Sequence, residues 1–172
     1  MGHKRIHISA GFCLGLAMLL LTVPIPWLLA GTLAAAFHEV GHLAAIYLMG
    51  GSVRYGSFGV ASANLYIPAM SRGKETVAAL AGPFFSLLLL MFWPVAPRLA
   101  LCAGAQLCYN LLPIYPLDGG RILACLIPHR ICLCISCIAR VCLVAIACWL
   151  TFSARIGIFP LLLVLLLLIR TK

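Results

Sequence analysis

The sequence predicts an all-α integral membrane protein with about six transmembrane helices and a small β-hairpin or extended loop after the second. Of its 172 residues, 65% are hydrophobic and 9% charged, and the mean hydropathy is +1.16. A water-soluble domain of this size cannot bury so much apolar surface. The length suits roughly six spans of about 20 residues. We therefore expect one polytopic membrane domain over residues 1–172, with no PDZ-like or CBS domain.

Six apolar segments follow one another along the chain and mark the predicted spans. Prolines interrupt the pattern between them, with Pro24 and Pro26 after the first segment and Pro128 after the fourth. The first segment also has the character of a signal peptide, but we expect it to be retained because the apolar pattern resumes at once. The segments are Ile8 to Val23, Leu28 to Met49, Thr76 to Trp93, Leu99 to Ile127, Ile131 to Phe152 and Ile156 to Ile169.

The basic residues predict the orientation of these spans. The formal charge is +9, but the Lys and Arg residues stand singly or in pairs at the ends of apolar segments. That pattern suits a membrane protein and argues against nucleic-acid binding, which needs a basic stripe. Six alternating spans leave only Arg98 and Arg155 on one side, so both termini are predicted to be cytoplasmic. The other side collects Lys4, Arg5, Arg54, Arg72, Lys74, Arg130, Arg170 and Lys172.

The stretch GGSVRYGSFGVASANLYIP, residues 50–68, differs from the rest of the chain. It combines glycine and serine with β-forming residues in loose alternation, which predicts a small hairpin or an extended loop at the cytoplasmic face of the membrane. A plain connector is the alternative, and the sequence leaves both open.

Nine cysteines occur in the chain, most of them inside apolar segments, where a free thiol acts as a small hydrophobic group. The stretch CLCISC, with Cys132, Cys134 and Cys137, is the nearest to a metal-binding pattern. Its spacing is not the paired CxxC of zinc ribbons. We therefore expect these cysteines to be packing residues.

The stretch AAFHEVGHLAA, residues 34–44, places a glutamate between two histidines inside the second apolar segment. Because His38 and His42 are four residues apart, both side chains project from one face of a helix and can bind one metal ion. Neutral imidazole is a good zinc ligand, and Glu39 can accept a proton from water that attacks a carbonyl. This HExxH pattern predicts one Zn²⁺ ion on the two histidines, with Glu39 as the catalytic base.

Chance and ordinary packing are the competing explanations of this short pattern. Random placement of five His and two Glu over 172 residues gives it on the order of 0.002 times. A charged carboxylate at the centre of a membrane helix costs about 2.5–3.5 kcal/mol, which marks it as a functional candidate. In the packing alternative, the histidines hydrogen-bond to neighbouring helices and Glu39 is neutral. We favour the metal site.

A catalytic zinc site needs a third protein ligand and an open position for water. Asp118 is the remaining candidate, because Glu75 suits a helix start and the other histidines fall at the aqueous boundary. Two prolines and two glycines around it predict a helix break from about Pro113 to Gly120, which membranes tolerate only inside protein or beside a wet cavity. At about 1.5 Å per helical residue, Asp118 lies roughly 13 Å deep, and the two histidines roughly 10 and 16 Å.

These residues resemble the site-2 proteases, a family of zinc metalloproteases that cut proteins within the membrane. FHEVGH is similar to the HExxH helix of the family, NLLPIYPLDGGR to its second signature, and AGPFFS to the AGP segment between them. The resemblance covers roughly residues 28–127 and is strongest to sporulation-type members related to stage IV sporulation protein FB. Ser86 departs from the pattern, because many members carry asparagine there.

The resemblance implies a ligand set, a general base and a substrate-positioning set. The zinc ligands are His38, His42 and Asp118, the base is Glu39, and the positioning residues are Asn110, Pro113 and Pro116. The implied enzyme is a zinc metalloendopeptidase of a bacterial cytoplasmic membrane that cuts a membrane-associated protein, such as a pro-sigma or anti-sigma factor, and it leaves room for a regulatory membrane partner. The loop after the HExxH helix is implied to pair with an unwound substrate strand.

Two other classes of function compete with this one. A membrane metal-ion permease would use the same side chains as transit ligands, and a catalytically silent membrane scaffold would keep only the fold. Two arginines are also unexplained. Arg121 suits either substrate binding or the membrane interface, whereas Arg140, in the middle of the fifth segment, suits a cavity, snorkelling or a misplaced boundary.

Overall fold

The computed structural model describes residues 6–8, 23–51, 55–59, 62–66, 70–153, 161, 164–165 and 168. The first and sixth predicted spans, Ile8 to Val23 and Ile156 to Ile169, lie almost wholly outside these residues. The chain divides into two compact units, Met1–Asn110 and Leu111–Lys172.

Three helices that pack against one another dominate the first unit. They are α1 (Ile25–Leu48), α2 (Arg72–Leu90) and α3 (Pro97–Asn110). Proline stands at the start of α1 and of α3, where its fixed φ suits the first helical turn and its missing N–H costs nothing. The predicted second and third spans coincide with α1 and α2 to within about one helical turn.

A three-stranded sheet also belongs to the first unit. It consists of β1 (Ile6–Ile8), β2 (Tyr55–Gly59) and β3 (Ser62–Tyr66), in that order. The strands β2 and β3 are antiparallel and fall in the 50–68 stretch. The strands β1 and β2 are parallel, so their connection has to cross over, and α1 lies within it.

Small residues allow α1 and α2 to approach closely. A Cβ added to Gly41 would lie 2.6 Å from the carbonyl oxygen of Ala81 and 2.9 Å from Cγ of Phe85. Close backbone approach of this kind is typical of helices that associate in membranes. The buried residues of α1 recur at intervals of three or four and so form one face: Ala34, His38, Gly41, His42 and Ile46.

A small apolar core lies on the same side of α1, where the three helices of the first unit meet. Ala34, Leu89 and Ala103 are buried there, one from each helix. The core is completed by partly buried neighbours: Phe37, Leu99 and Cys102. The rings of Phe37 and Phe85 add an aromatic contact between α1 and α2, with centroids 5.2 Å apart. This packing holds the buried face of α1 against α2.

The second unit contains α4 (Asp118–Leu126) and α5 (His129–Phe152). No helix covers residues 111–117, so the fourth apolar segment consists of two helices, α3 and α4. The predicted interruption is confirmed, although it begins directly after Asn110 and ends before Asp118. Pro128 precedes α5 at its N-cap position, as the proline pattern predicted.

Three helices among the described residues are long and apolar enough to cross a membrane: α1, α2 and α5. Their outward faces carry exposed apolar side chains, such as Leu29, Val77 and Ile138. Lipid accommodates such faces, whereas soluble monomers rarely expose large apolar patches. Together with the composition, these helices make the chain a membrane protein.

Gly41→Ala is expected to lower the unfolding temperature of the purified protein in detergent, because the new methyl group overlaps the α2 backbone. Overpacking of this kind costs about 1–3 kcal/mol. Gly31→Ala is the matched control in α1, since the nearest atom to its new Cβ is Cys102 Sγ at 4.0 Å. The control should unfold at the wild-type temperature or above it. Equal unfolding temperatures for the two variants would contradict the close approach at Gly41.

Candidate metal centre

His38 and His42 lie one turn apart on the buried face of α1. Their side chains are 2% and 7% exposed, and their Nε2 atoms are 3.1 Å apart. The two rings are nearly perpendicular, at 82°. The common face that the HExxH spacing predicted is confirmed, and the two nitrogens converge on one point.

A backbone carbonyl of α2 fixes the tautomer of His42. Its Nδ1 lies 2.7 Å from the carbonyl oxygen of Ala78. Because a carbonyl can only accept a hydrogen bond, Nδ1 carries the proton and donates it. In the neutral ring, Nε2 then keeps its lone pair, which is the form that binds a metal.

A serine hydroxyl plays the corresponding part for His38. Its Nδ1 lies 2.8 Å from Oγ of Ser86, which is completely buried. In the tautomer whose Nδ1–H donates to this oxygen, the lone pair of His38 Nε2 also faces Nε2 of His42. No role for Ser86 was predicted from the sequence, because the residue departs from the family pattern. The available signal was its spacing, since residues 78, 82 and 86 recur every four positions along α2.

The distance between the two Nε2 atoms fits a shared metal ion. In the tautomers that carry the proton on Nδ1, two lone pairs face each other at 3.1 Å and repel, and a cation between them turns this repulsion into attraction. Nitrogens that each lie about 2.0–2.1 Å from one zinc ion at a tetrahedral angle are about 3.3 Å apart. The spacing of the pair therefore suits two ligands of one metal ion.

Gly82 provides the space in front of the two rings. A Cβ at this position would overlap the ring of His42 and would lie 2.8 Å from Nε2 of His38. Only glycine leaves the two nitrogens accessible from this side. The AGP segment, residues 81–83, thus supplies an opening beside the histidines as well as helix packing.

Glu39 and Asn110 lie next to this pair in the first unit. Glu39 follows His38 in α1 and is half-buried, and its carboxylate has no hydrogen-bond or ion partner within the described part of the chain. Asn110, the last residue of α3, has its Nδ2 3.4 Å from Nε2 of His38. Of the residues predicted to position substrate, Asn110 is thus at the histidine pair itself.

Asp118 is the first residue of α4, in the second unit, and is 6% exposed. The positive end of the helix dipole attracts a carboxylate at this position. Nη1 of Arg121, one turn later, lies 4.0 Å from Oδ1 of Asp118. Arg121 therefore contacts the predicted ligand, a contact that neither of its two sequence-based explanations included.

Two glycines allow the chain to fold back tightly around Asp118. A Cβ on Gly119 would overlap the carbonyl group of Leu111, and one on Gly120 would overlap the backbone of Ile114. The connection before α4 therefore lies directly against the first turn of that helix. Pro113 and Pro116 lie in this connection, and the peptide bond between Tyr115 and Pro116 is cis.

His38 and His42 in the first unit and Asp118 in the second are all buried, and each offers an atom that can bind a metal ion. Two imidazoles and one carboxylate make up the ligand set of many catalytic zinc sites, which keep a fourth position open. The cysteines of α5 form no such group among the residues described. Cys132 is buried, whereas Cys134 and Cys137 are exposed.

Comparison with known proteins finds a similar fold but no similar sequence. No protein-family model matches the chain, and no curated protein sequence does. Among solved structures, the chain is similar to the site-2 protease from Methanocaldococcus jannaschii, with a TM-score of 0.64 and 19% sequence identity. The match covers 93% of this chain and 85% of the archaeal one. The two proteins share a fold.

Gly82→Ala is expected to abolish stoichiometric zinc binding, because the added methyl group occupies the space in front of both Nε2 atoms. Zinc content is measured by mass spectrometry on the purified protein in detergent. Gly73→Ala is the matched control in α2, since no atom lies within 4 Å of its new Cβ, and it should bind zinc as the wild type does. Full zinc occupancy in Gly82→Ala would contradict the position assigned to the ion.

Proposed function

We propose that the chain is an intramembrane zinc metalloendopeptidase of the site-2 protease type. It hydrolyses a peptide bond of a membrane-associated protein within or near the bilayer. The observation that carries the proposal is the histidine pair, whose Nε2 atoms converge at 3.1 Å while each Nδ1 is held by α2. The fold shared with an archaeal site-2 protease supports it.

One zinc ion is proposed to bind Nε2 of His38, Nε2 of His42 and a carboxylate oxygen of Asp118. This set leaves a fourth position for substrate or water, as in catalytic zinc sites. Partners that hold the second nitrogen of a metal-binding histidine fix its orientation and raise its basicity. Ser86 and the Ala78 carbonyl are those partners in this chain.

Glu39 is proposed to be the general base. Zinc, when bound, acts as a Lewis acid toward the scissile carbonyl and the attacking water. The carboxylate of Glu39 accepts a proton as the water oxygen bonds to the carbonyl carbon. It then gives this proton to the nitrogen of the departing amine as the C–N bond breaks. A carboxylate with no structural partner in the described part of the chain is available for such an exchange.

The substrate is proposed to bind as an extended strand. A helical substrate hides its peptide groups in internal hydrogen bonds and has to unwind before it is cut. The strand β3 lies at one edge of the three-stranded sheet, and an extended peptide can add to such an edge. Asn110, Pro113 and Pro116 are proposed to orient the scissile bond, and Asn110 lies beside a proposed zinc ligand.

The resemblance to sporulation-type members suggests the biological setting. The enzyme is proposed to be one multi-pass domain, residues 1–172 with its core at 28–127, in a bacterial cytoplasmic membrane with both termini in the cytoplasm. A pro-sigma or anti-sigma factor is the proposed substrate class, with room for a regulatory membrane partner.

The permease and scaffold alternatives are weaker explanations of the same site. A permease needs polar residues along a whole path. In this chain, two of the three acidic residues, Glu39 and Asp118, belong to the proposed site. A scaffold has no use for a buried carboxylate, which is expensive in a membrane.

Glu39→Gln is expected to reduce cleavage by at least about 100-fold, because the amide cannot accept the proton, while zinc content stays at the wild-type level. Quantitative membrane proteomics of expressing cells identifies the substrate as a protein that accumulates uncut with Glu39→Gln alone. Glu75→Gln is the matched control and should leave cleavage intact.

Wild-type cleavage by Glu39→Gln would rule out this mechanism. Zinc uptake by proteoliposomes that hold the wild-type protein, with no peptidase activity, would instead support the permease.

A further inference from the structure

A row of side chains on α5 faces the connection that precedes α4. Oγ of Ser136 donates a hydrogen bond to the carbonyl oxygen of Pro113, at 3.0 Å. Nη2 of Arg140 donates to the carbonyl oxygen of Tyr115, at 3.3 Å. The two residues are four positions apart and so occupy one face of the helix.

The carbonyl groups that these residues contact have no hydrogen-bond partner within a helix, because the helix is broken at this point. Residues 111–117 lie outside any helix, so their backbone groups lack the partners that a continuous helix would supply. At membrane depth such groups have to be satisfied by protein or by water. Ser136 and Arg140 satisfy two carbonyls of this connection, at alternate residues.

Arg140 costs free energy in the middle of an apolar helix, and no ion pair with a described residue offsets that cost. It lies near the middle of α5, a helix long and apolar enough to cross a membrane. Within the described residues it has no carboxylate partner, and its buried Nε has no hydrogen-bond acceptor. None of the three sequence-based explanations of Arg140, namely a cavity, snorkelling or a misplaced boundary, included the contact that the structure shows. The guanidinium reaches the backbone of the connection.

The contacts lie close to Asp118 along the chain. Tyr115 is three residues before Asp118, and the intervening turn is closed by a hydrogen bond from Leu117 N to Ile114 O, at 2.8 Å. The carbonyl of Leu117 then accepts from Arg121 N in the first turn of α4, at 2.9 Å. The Tyr115 carbonyl thus lies within a hydrogen-bonded turn that leads directly into the start of α4, where Asp118 is located.

We propose that Ser136 and Arg140 are positioning residues that hold the connection 111–117 so that Asp118 is set to bind zinc. The proposal rests on the proposed function, because it assigns a purpose to the ligand position of Asp118. The hydroxyl and the guanidinium act as hydrogen-bond donors to the backbone and do not touch the substrate.

Zinc affinity of the purified protein in detergent, measured by competition with a chelator, tests this proposal. Ser136→Ala and Arg140→Met remove a donor and keep most of the volume. Loss of a residue that orients a metal ligand typically weakens metal binding 10–100-fold, so each variant should raise the zinc dissociation constant about tenfold. Ser136→Thr and Arg140→Lys keep a donor and should bind zinc within about threefold of the wild type.

Cys137→Ala is the off-row control, because Cys137 follows Ser136 in α5 and its side chain is exposed. It should bind zinc as the wild type does. Ser136→Ala removes one oxygen atom only, so it carries the test if Arg140→Met does not fold.

Wild-type affinity in both donor-lacking variants would overturn the positioning role, and so would an equal loss in the donor-keeping variants. In either case the wild type still binds zinc and cleaves its substrate, so the proposed function survives. If the wild type itself binds no zinc, the proposed function is wrong and the positioning role is wrong with it.

Discussion

Two imidazole nitrogens 3.1 Å apart on an apolar helix have to be held in place by their surroundings if both are to bind one metal ion, since their lone pairs repel in the metal-binding tautomer. In this chain α2 does so. The Ala78 carbonyl and the Ser86 hydroxyl hold the outer nitrogens, and Gly82 keeps the space in front of the inner ones. Gly41 lets α1 come close enough for these contacts. The contact between α1 and α2 thus orients the histidines as well as burying apolar surface.

The second unit also contains a segment that polar side chains of a neighbouring helix hold in place. A helix broken over residues 111–117 leaves backbone carbonyls without helical partners, and α5 supplies donors from Ser136 and Arg140; at the membrane depth proposed for this segment, lipid could not do so. Polar side chains are scarce in a chain that is 65% hydrophobic. In both units some of these side chains contact the segments that carry proposed zinc ligands. Ser86 contacts a proposed ligand itself, whereas Ser136 and Arg140 contact the backbone that precedes one.

Features set by local chemistry could be predicted from the sequence, and those set by contacts between distant segments could not. The spacing of His38 and His42 predicted a shared face, and the prolines and glycines around Asp118 predicted a broken helix. Ser86 was missed because its partner lies 48 positions away in another helix. The contact of Arg140 with a carbonyl 25 positions earlier has no periodic signature. The fourth apolar segment was predicted as one interrupted span, because apolar periodicity does not show that its two helices belong to different units.

The proposed zinc ligands can be tested by X-ray absorption at the zinc edge, on the purified wild-type protein loaded with one equivalent of zinc. Binding by His38, His42 and Asp118 predicts a shell of nitrogen and oxygen atoms at about 2.0–2.1 Å, with the outer-shell scattering of two imidazole rings. A sulfur shell at about 2.3 Å would instead put the ion on the cysteines and contradict this ligand set. So would a shell without imidazole scattering, because the converging nitrogens of His38 and His42 would then not be its ligands.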